Sequence, residues 1–442
     1  MENKYLTLTV NDANIHLGPD KSFLKFRNQL SNPPEILAIN DSAAEILLRS
    51  NGTRTVSEIA NELSTHYTEK YRDVLPKVNR FIKSFMSTGY LSLSDNPKIA
   101  KVRVTGSREY LVPLHAAIEL TTRCNLRCKH CYNSSSPDSG EVMSLERVIE
   151  LFDILKSWGV GAIELSGGEP LTHPDIKNIL TIAHEYFGLV GVITNGVLLK
   201  SEHVDVMKNG TAHSLIQIDL DGSDPEYVNW FRGQDNVYER EIQAIKRVVE
   251  SGLLLRVAMI VTPGNIDQME STASLVKSLG ANSFGMSLVV PQGRALIGDA
   301  NLMLSPQEAK NYIAMYKKLA QRYEGFIFEE IESKFNMANE GNCGVGSRSI
   351  SIAPNGNVKM CQMSDESIYF FGNIFDNSCR ELFEQSSQSL ALVEAPSDET
   401  CGNCVNSGYC RGCINRGVIK AKEISPENCS WIQQYVSVFM EN

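Results

Sequence analysis

The feature that most restricts the fold of this chain is a regular alternation of strand-like and helix-like segments through its middle. Short apolar runs typical of strands occupy six stretches: Ala116–Leu120, Ala162–Leu165, Leu189–Thr194, Leu215–Leu220, Leu254–Val261 and Phe284–Val290. Amphipathic segments typical of helices separate them, at about 143–157, 174–187, 201–208, 236–251, 267–279 and 305–323. Strands that alternate with helices pair in parallel through right-handed crossovers. Six such units suffice for an open barrel but not for a closed eight-stranded one, so we predict an α/β fold with a partial (βα)6 barrel.

The segments on either side of this alternation have other patterns. Residues 1–93 combine short apolar strand-like stretches with three helical patterns, the first two preceded by the capping residues Asn40 and Thr55, and so predict a winged-helix-like module. Residues 94–112 show little periodicity and are predicted to be a linker. After the barrel, predicted at 113–325, residues 326–442 are poor in apolar periodicity and rich in cysteine, so bound metal must help to order them.

Charge and cysteine placement limit the function. A formal net charge of −10 disfavours nucleic acid as a partner. No stretch approaches the roughly 20 apolar residues that span a bilayer and no signal peptide is apparent, so we expect a cytoplasmic protein without a membrane span. Because cytosolic thiols stay reduced, the eleven cysteines indicate metal or catalytic sites rather than disulfides.

Three of these cysteines follow the first barrel strand. The segment IELTTRCNLRCKHCY places Cys124, Cys128 and Cys131 in a C-x3-C-x2-C spacing, at the strand end where parallel barrels build their sites. Three thiolates can hold three irons of a cubane 4Fe–4S cluster and leave the fourth iron open to an outside ligand. A zinc or structural cluster site is the alternative, although it normally needs a fourth ligand, for which His130 is available.

This spacing resembles that of the radical S-adenosylmethionine (SAM) family, in which Tyr132 would occupy the aromatic position beside the third cysteine. The resemblance implies that SAM chelates the open iron through its amino and carboxylate groups. Electron transfer would then cleave SAM to a 5′-deoxyadenosyl radical that removes a substrate hydrogen. SGGEP at Ser166–Pro170 resembles the GGE motif of the family, so Gly167, Gly168 and Glu169 would meet the methionine amino group.

Further positions extend the resemblance over about residues 113–325. Asn195 ends the third strand, and Asp219, in IDLDG, ends the fourth strand, where the family commonly has serine. Arg232 resembles the arginine of the family that pairs with the methionine carboxylate, although an exposed loop arginine is usually only a solvated charge. Gln292–Ala295, after the sixth strand, also looks like the family.

The C-terminal cysteines resemble a second motif, the seven-cysteine SPASM extension of radical enzymes that modify peptides. The resemblance implies two auxiliary clusters, and so three 4Fe–4S clusters in all. Their predicted ligands are Cys401, Cys404, Cys410 and Cys429 for the outer cluster, and Cys343, Cys361 and Cys413 for the inner cluster. Most members have three residues between the fifth and sixth cysteines, whereas this chain has only Arg411 and Gly412.

Two alternatives apply to these C-terminal cysteines. A zinc ribbon would also suit the spacing from Cys401 to Cys413, although it would leave Cys343, Cys361 and Cys429 unexplained. Cys379 lies outside the motif, and we predict that it is a small buried hydrophobic residue and not an eighth ligand.

The first 93 residues resemble a PqqD-like leader-recognition domain, which would bind an extended peptide leader at an exposed sheet edge. DNA binding is the alternative, which the negative net charge of the chain disfavours. The whole order of motifs resembles the subtilosin-type (sactipeptide) maturases, which join a cysteine sulfur to a carbon of another residue. The resemblance implies a radical SAM oxidoreductase that forms thioethers in a ribosomal precursor peptide and takes electrons from a flavodoxin or ferredoxin. The alternatives are a carbon–carbon crosslinking or epimerising maturase and a non-catalytic iron–sulfur electron carrier.

Overall fold

The computed structural model describes the chain except residues 10, 20, 28–34, 139, 299, 328–340, 365 and 441–442. The chain forms two compact units, Met1–Val112 and Pro113–Asn442. Across the described ranges, we find no helix with the length and apolar character needed to span a membrane. The first part of the predicted C-terminal domain, residues 328–340, lies outside the described residues.

Among its described residues, the first unit has two small sheets and three helices. Its sheets have the strand orders β5-β1-β6 and β4-β3-β2-β7. The elements are β1 (Tyr5–Leu8), β2 (Asn11–Leu17), β3 (Ser22–Arg27), β4 (Glu35–Ile39), α1 (Asp41–Arg49), β5 (Asn51–Thr55), α2 (Val56–His66), α3 (Tyr71–Ser87), β6 (Leu91–Ser94) and β7 (Arg103–Gly106).

The predicted capping residues begin the first two helices of this unit. Asn40 accepts a hydrogen bond from the N–H of Ala43 at the start of α1. Thr55 and Glu58 form a reciprocal capping box at the start of α2, which satisfies backbone donors that a helix leaves unpaired. The helical patterns read from the sequence therefore correspond to α1, α2 and α3.

The segment predicted as a linker, residues 94–112, is partly ordered within the first unit. Its residues Arg103–Gly106 form β7, which pairs in parallel with β2. The ring of His16 on β2 then contacts Thr105 Oγ1 at 3.0 Å and the carbonyl oxygen of Val112 at 3.3 Å. The linker prediction is wrong for this part because a four-residue strand is too short to show periodicity.

In the part of the second unit that the structure describes, nine strands form one sheet with the order β13-β12-β11-β10-β9-β8-β14-β15-β16. Its barrel portion contains β8 (His115–Glu119), α4 (Leu145–Trp158), β9 (Ala162–Ser166), α5 (Ile176–Tyr186), β10 (Leu189–Thr194), α6 (Ser201–Asn209), β11 (His213–Asp219), α7 (Pro225–Arg232), α8 (Val237–Ser251), β12 (Leu254–Val261), α9 (Met269–Ser278), β13 (Ser283–Leu288), α10 (Arg294–Ile297) and α11 (Pro306–Arg322). Its C-terminal portion contains β14 (Ser349–Ile352), β15 (Asn357–Lys359), β16 (Phe370–Asn373), α12 (Ser378–Ala391), α13 (Asp398–Cys401), α14 (Ser407–Cys410), α15 (Ile414–Ile424) and α16 (Val436–Phe439).

The six strands β8 to β13 pair in parallel in chain order, which confirms the predicted partial barrel. Burial alternates along β11 and β12, so one face of each strand is sealed and the other is half-exposed. We assign the sealed face to the packing against helices, because Ile218 lies with Ala244 of α8 beside Gly196. The opposite face, which carries Gln217, Asp219 and Arg256, lines the barrel interior.

A strand from the C-terminal segment extends the barrel sheet. β14 pairs in parallel with β8, with Ile350 opposite Ala116, and β15 and β16 follow in antiparallel order. The segment that carries the auxiliary cysteines therefore pairs with the edge of β8 that does not face β9. Sequence periodicity did not indicate this continuation, because β14 has only four residues.

Candidate active site and iron–sulfur centres

The three cysteines predicted to hold the catalytic cluster lie on one loop, residues 120–136, which we call the cysteine loop. It directly follows β8 and closes on itself, because the N–H of Cys124 donates to the carbonyl of Ser136 at 3.1 Å. Cys124 and Cys128 are buried and Cys131 is half-buried, and all three belong to one packing cluster. The structure therefore brings the three thiols together at the carboxyl end of the barrel.

Hydrogen-bond donors point at the sulfur atoms of this loop. The N–H of Leu126 lies 3.4 Å from Cys124 Sγ, and the N–H of Ser135 lies 3.3 Å from Cys131 Sγ. Burial raises the pKa of Cys124 to about 12 and that of Cys128 to about 11. Metal coordination deprotonates a thiol outright. These buried thiols, with hydrogen-bond donors nearby, are therefore suited to act as ligands of a metal cluster.

Arg294 fixes the cysteine loop from the other side of the barrel. Its Nε donates to the carbonyl of Cys128 at 2.8 Å, and its Nη2 donates to the carbonyl of Ser135 at 2.6 Å. The N–H of Arg294 donates to the carbonyl of Cys131 at 3.0 Å. The QGRA segment was predicted only by its resemblance to the family, and the structure shows that its arginine clamps the loop backbone.

The two glycines of SGGEP lie against the beginning of the cysteine loop. A Cβ on Gly167 would stand 2.4 Å from the carbonyl oxygen of Thr121, and a Cβ on Gly168 would stand 2.3 Å from that of Arg123. Gly168 N–H and Glu169 N–H donate to the same two carbonyls, at 2.6 and 2.8 Å. The glycines therefore allow this close backbone approach, and their contact with SAM stays a prediction.

Replacing Gly168 with alanine is expected to lower SAM cleavage by at least about tenfold, because a displacement of roughly 1 Å can cost a hundredfold in rate. The new methyl group would push the backbone that carries Cys124, while the C-terminal cysteines would keep their iron. 5′-Deoxyadenosine formation and total iron measure the two effects. Gly140→Ala is the control, since its Cβ would meet nothing within 4 Å. A Gly168→Ala enzyme with full activity would contradict this account.

Glu169 connects the SGGEP turn to the end of β10. Its carboxylate accepts hydrogen bonds from Thr194 Oγ1 at 2.7 Å, from Asn195 N–H at 2.8 Å and from Leu171 N–H at 3.1 Å. Burial raises its pKa to about 7, in spite of these three donors. Asn195 in turn points its Nδ2 at Cys124 Sγ, 3.7 Å away. Glu169 and Asn195 therefore lie beside the cysteine loop, as a role at the SAM site requires.

Arg232 is not an exposed loop residue; it ends α7 and is 3% exposed. Its Nη1 lies 3.8 Å from Cys128 Sγ and 3.7 Å from Asp219. Two acids that the sequence did not single out also pair with it, Asp221 at 2.9 Å and Glu241 at 3.2 Å. Burial raises the pKa of Asp221 to about 6 and raises that of Glu241 well above its usual value. Glu241 could have been found from the sequence, because it is an acidic residue on the apolar, inward-facing side of the amphipathic helix α8.

Tyr132 points toward the barrel wall rather than toward solvent. Its hydroxyl donates to Glu119 Oε1 at 3.1 Å. The Nζ of Lys359 lies 3.4 Å from Oε1 and 3.5 Å from Oε2 of the same carboxylate. Burial, and then the Glu119 carboxylate, raise the pKa of Tyr132 well above its usual value, and the Cys361 thiol acts in the same direction. Sequence reasoning missed Glu119 and Lys359, because their partners come from distant parts of the chain.

The four cysteines predicted to hold the outer auxiliary cluster are neighbours in the structure. Burial raises the pKa of Cys410 to about 12, and the thiols of Cys401, Cys404 and Cys429 all raise it further. Burial also raises the pKa of Cys401, and Cys404 and Cys429 act on it in the same direction. These effects show that the four thiols lie within electrostatic range of one another, and their sharing of one cluster stays a prediction.

The cysteines predicted for the inner cluster lie closer to the barrel. Cys361 follows β15 and lies near Tyr132, whose pKa it raises. Cys413 caps α15, where its Sγ accepts from the N–H of Arg416 at 3.5 Å. Cys343 is half-buried and precedes β14. The assignment of these three to one cluster stays a prediction.

Cys379 lies in a different environment. It is fully buried at the start of α12, on the same helix face as Phe383, Ser387 and Leu390. These positions repeat at the helical period, so Cys379 belongs to the apolar face that packs inward. Burial raises the pKa of its thiol to about 12. This environment supports the prediction that Cys379 is not a cluster ligand.

Comparison with known families agrees with this site. Residues 118–276 match the radical SAM superfamily, and residues 343–405 match SPASM, an iron–sulfur cluster-binding domain. The second match favours iron–sulfur clusters over the zinc-ribbon alternative. The chain accordingly binds SAM and a 4Fe–4S cluster at the barrel, and auxiliary iron–sulfur clusters in its C-terminal part.

Individual proteins resemble the chain over most of its length. The antilisterial bacteriocin subtilosin biosynthesis protein AlbA of Bacillus subtilis is 30% identical over 406 residues, which cover 90% of this chain and 88% of AlbA. The sporulation killing factor maturation protein SkfB of the same organism is 26% identical over 64% of this chain and 67% of its own. The crystal structure of Streptococcus suis SuiB bound to precursor peptide SuiA has a TM-score of 0.62 at 14% identity, covering 94% of this chain and 97% of SuiB. The SuiB likeness shows the fold, and the AlbA likeness shows that this chain belongs to the SPASM-containing radical SAM family of the subtilosin biosynthesis protein.

Proposed function

We propose that this enzyme is a radical SAM peptide maturase that joins a cysteine sulfur to a carbon atom within a ribosomally made precursor peptide. One observation carries the proposal: 30% identity to the subtilosin biosynthesis protein extends over 90% of the chain, and so includes the first unit, the barrel and the cysteine-rich C-terminus. SkfB, named as the maturation protein of the sporulation killing factor, is a second relative whose name describes maturation.

The residues around the cysteine loop support a radical reaction in the barrel. Cys124, Cys128 and Cys131 supply three thiolates, which leaves one iron of a cubane cluster for SAM. When bound, this cluster and SAM supply a 5′-deoxyadenosyl radical that removes a substrate hydrogen. Arg294 and the SGGEP glycines hold the loop at the barrel mouth, and Glu169 and Asn195 lie beside it.

The polar interior of the barrel supports a bound peptide as the substrate. Gln217, Asp219 and Arg256 present half-exposed polar groups on the inner faces of β11 and β12. Glu164 on β9 adds a carboxylate whose pKa burial raises to about 7. Such a lining can hydrogen-bond the peptide groups of a substrate segment and hold one carbon near the cysteine loop.

The first unit is proposed to bind the leader of the precursor at the edge of β4. This strand pairs with β3 in the sheet β4-β3-β2-β7 and stands at the end of that order. No further strand among the described residues pairs with the outer edge of β4, and the apolar side chain of Leu37 beside that edge is 37% exposed. An extended peptide can add there as a further strand through main-chain hydrogen bonds.

Binding of the leader is expected to slow amide hydrogen exchange in Glu35–Ile39, because strand addition supplies partners to the free edge. Exchange in β6, at the edge of the other sheet, should not change and serves as the control. Leu37→Asp should weaken leader binding by about tenfold or more, since burying one apolar side chain contributes about 1.5–3 kcal/mol. Unchanged exchange in β4 with leader bound would place the leader elsewhere.

Mass spectrometry of a co-expressed precursor peptide tests the reaction itself. The precursor encoded beside the enzyme should lose two hydrogen atoms for each thioether, and fragmentation should locate each bond between a cysteine sulfur and a carbon. A carbon–carbon bond at lysine and tryptophan, or an epimerised residue without mass change, would replace the proposal by another maturase activity. A protein that never cleaves SAM would be an electron carrier instead.

Two features of the cellular setting complete the proposal. The reducing electron is expected from a flavodoxin or ferredoxin, since cleavage of SAM needs a low-potential donor. The enzyme is proposed to work in the cytoplasm, where its eleven thiols stay reduced until clusters assemble.

A further inference from the structure

Three polar side chains, of which two are buried and Tyr132 is half-buried, connect the cysteine loop with the segment that carries Cys361. Tyr132 donates to Glu119 at 3.1 Å, and Glu119 pairs with Lys359 at 3.4 Å. Glu119 is 1% exposed and Lys359 is 6% exposed. These contacts between side chains therefore lead through the protein interior, from one predicted cluster site to the other.

The strand arrangement brings these two charges together. Glu119 ends β8, Lys359 ends β15, and β14 lies between the two strands in the sheet. In the register of these strands, Ser351 of β14 stands between Ala117 and Lys359. Because Ser351 is small, the longer side chains of Glu119 and Lys359 can meet across β14.

The ion pair has a definite orientation. Its negative end accepts from Tyr132, the residue after Cys131. Its positive end also donates to the carbonyl of Gln362, the residue after Cys361, at 3.4 Å. The carboxylate is therefore directed at the catalytic cysteines and the ammonium at the auxiliary cysteines.

Stability alone does not account for this pair. Replacing a buried ion pair with apolar residues is often neutral or stabilising, because both charges lose their hydration. The distances of 3.4 and 3.5 Å are also longer than those of a tight charge-assisted hydrogen bond, which are about 2.7–2.9 Å. A role in the electrostatics of the two cluster sites explains both its burial and its direction.

We propose that the Glu119–Lys359 ion pair raises the reduction potential of the inner auxiliary cluster relative to that of the catalytic cluster. This inference rests on the proposed thioether function. When a carbon radical and a thiolate form the carbon–sulfur bond, one electron is released, and the thiol proton has already passed to solvent. The pair favours delivery of that electron to the inner auxiliary cluster, which is reduced by one electron.

The physical basis is the field of two fixed charges in a region without water. Interactions between charges are much stronger in the protein interior than in water. The potentials of iron–sulfur clusters depend on nearby charge, hydrogen bonds and solvent exposure. A positive charge near Cys361 stabilises the reduced, more negative state of a cluster held there.

A redox titration followed by electron paramagnetic resonance tests the proposal without any substrate. The titration uses reconstituted full-length protein, both with the catalytic cysteines and with Cys124, Cys128 and Cys131 replaced by alanine. Lys359→Met should lower the ratio of reduced to oxidised inner cluster by about tenfold at a fixed potential, a shift of about 59 mV for one electron. Glu119→Gln should shift the ratio in the opposite direction by a smaller amount, because Lys359 is the charge next to Cys361. The double variant should therefore keep a lower ratio than the native protein.

The controls separate charge from folding. Lys359→Arg keeps the positive charge, so the native ratio should be retained. Lys177→Met breaks an exposed ion pair with Glu202 at 3.1 Å and should change no potential. Circular dichroism of each variant checks the fold.

Equal shifts of the same sign in Lys359→Met and Glu119→Gln, or no shift in either, would overturn the proposal. The potentials are measured without precursor peptide, so failure of this inference is distinct from failure of the thioether assignment, which mass spectrometry decides.

Discussion

Protein in which Cys124, Cys128 and Cys131 are all replaced by alanine is expected to form no 5′-deoxyadenosine above the background of an enzyme-free control. The three thiols share one loop and one packing cluster, so their removal takes away every proposed protein ligand of the catalytic cluster. Iron content should fall by about four atoms per chain, the content of one cubane cluster. Anaerobic reconstitution followed by chromatography of the nucleoside products and by iron analysis measures both.

The auxiliary centres provide the internal control for this variant. Cys401, Cys404, Cys410 and Cys429, the predicted ligands of the outer cluster, lie in the C-terminal part and outside the cysteine loop, so the remaining iron and its absorption should persist. Retained 5′-deoxyadenosine formation would mean that another set of cysteines cleaves SAM. Loss of all iron would mean that the cysteine loop is needed for the C-terminal part to assemble.

The barrel could be predicted closely because each of its strands is long enough to show a pattern. The strands β10 and β12 have the predicted bounds, Leu189–Thr194 and Leu254–Val261. Buried parallel strands are continuous apolar runs, and glycines or capping residues mark the turns between them. In contrast, β7 and β14 have four residues each, and their pairing partners lie far away in the sequence.

The site could be predicted where its chemistry depends on local spacing. The cysteine loop and the SGGEP turn are short segments, and both lie at the carboxyl ends of barrel strands as expected. Arg232 was harder, because the helix α7 buries it among acids at the end of β11, just after β11 and on α8 that no local pattern connects with it. The Glu119–Lys359 pair joins residues that are 240 positions apart, so only the folded sheet reveals it.

The assignment of the inner auxiliary cluster leads to a contrast between two cysteines of the C-terminal part. Cys413 belongs to the seven-cysteine motif, and we expect Cys413→Ala to lose crosslinking while it still cleaves SAM. If Cys343, Cys361 and Cys413 hold the inner cluster as predicted, one ligand position of a cubane cluster is left for a substrate thiolate, whose deprotonation the metal would supply. Positioning a sulfur beside the carbon radical can supply a large part of the rate. Mass spectrometry of the peptide and assay of 5′-deoxyadenosine separate the two activities.

Loss of a helix cap must be separated from loss of a ligand in this variant. The Cys413 sulfur caps α15 by accepting from Arg416 N–H, and removing a cap costs about 1 kcal/mol. Cys413→Ser restores a preferred capping group, so it should recover the thermal stability of the protein without restoring crosslinking. Recovery of crosslinking by serine would mean that Cys413 serves the helix rather than the cluster.

Cys379→Ala is the matched cysteine variant, and it should keep full iron content and crosslinking. The side chain of Cys379 lies on the apolar face of α12, where alanine removes only a small buried group. Loss of about four irons in this variant, the content of one cubane cluster, would show that Cys379 closes the inner cluster. In that case no position would remain for a substrate thiolate, and the inner cluster would serve only to transfer electrons.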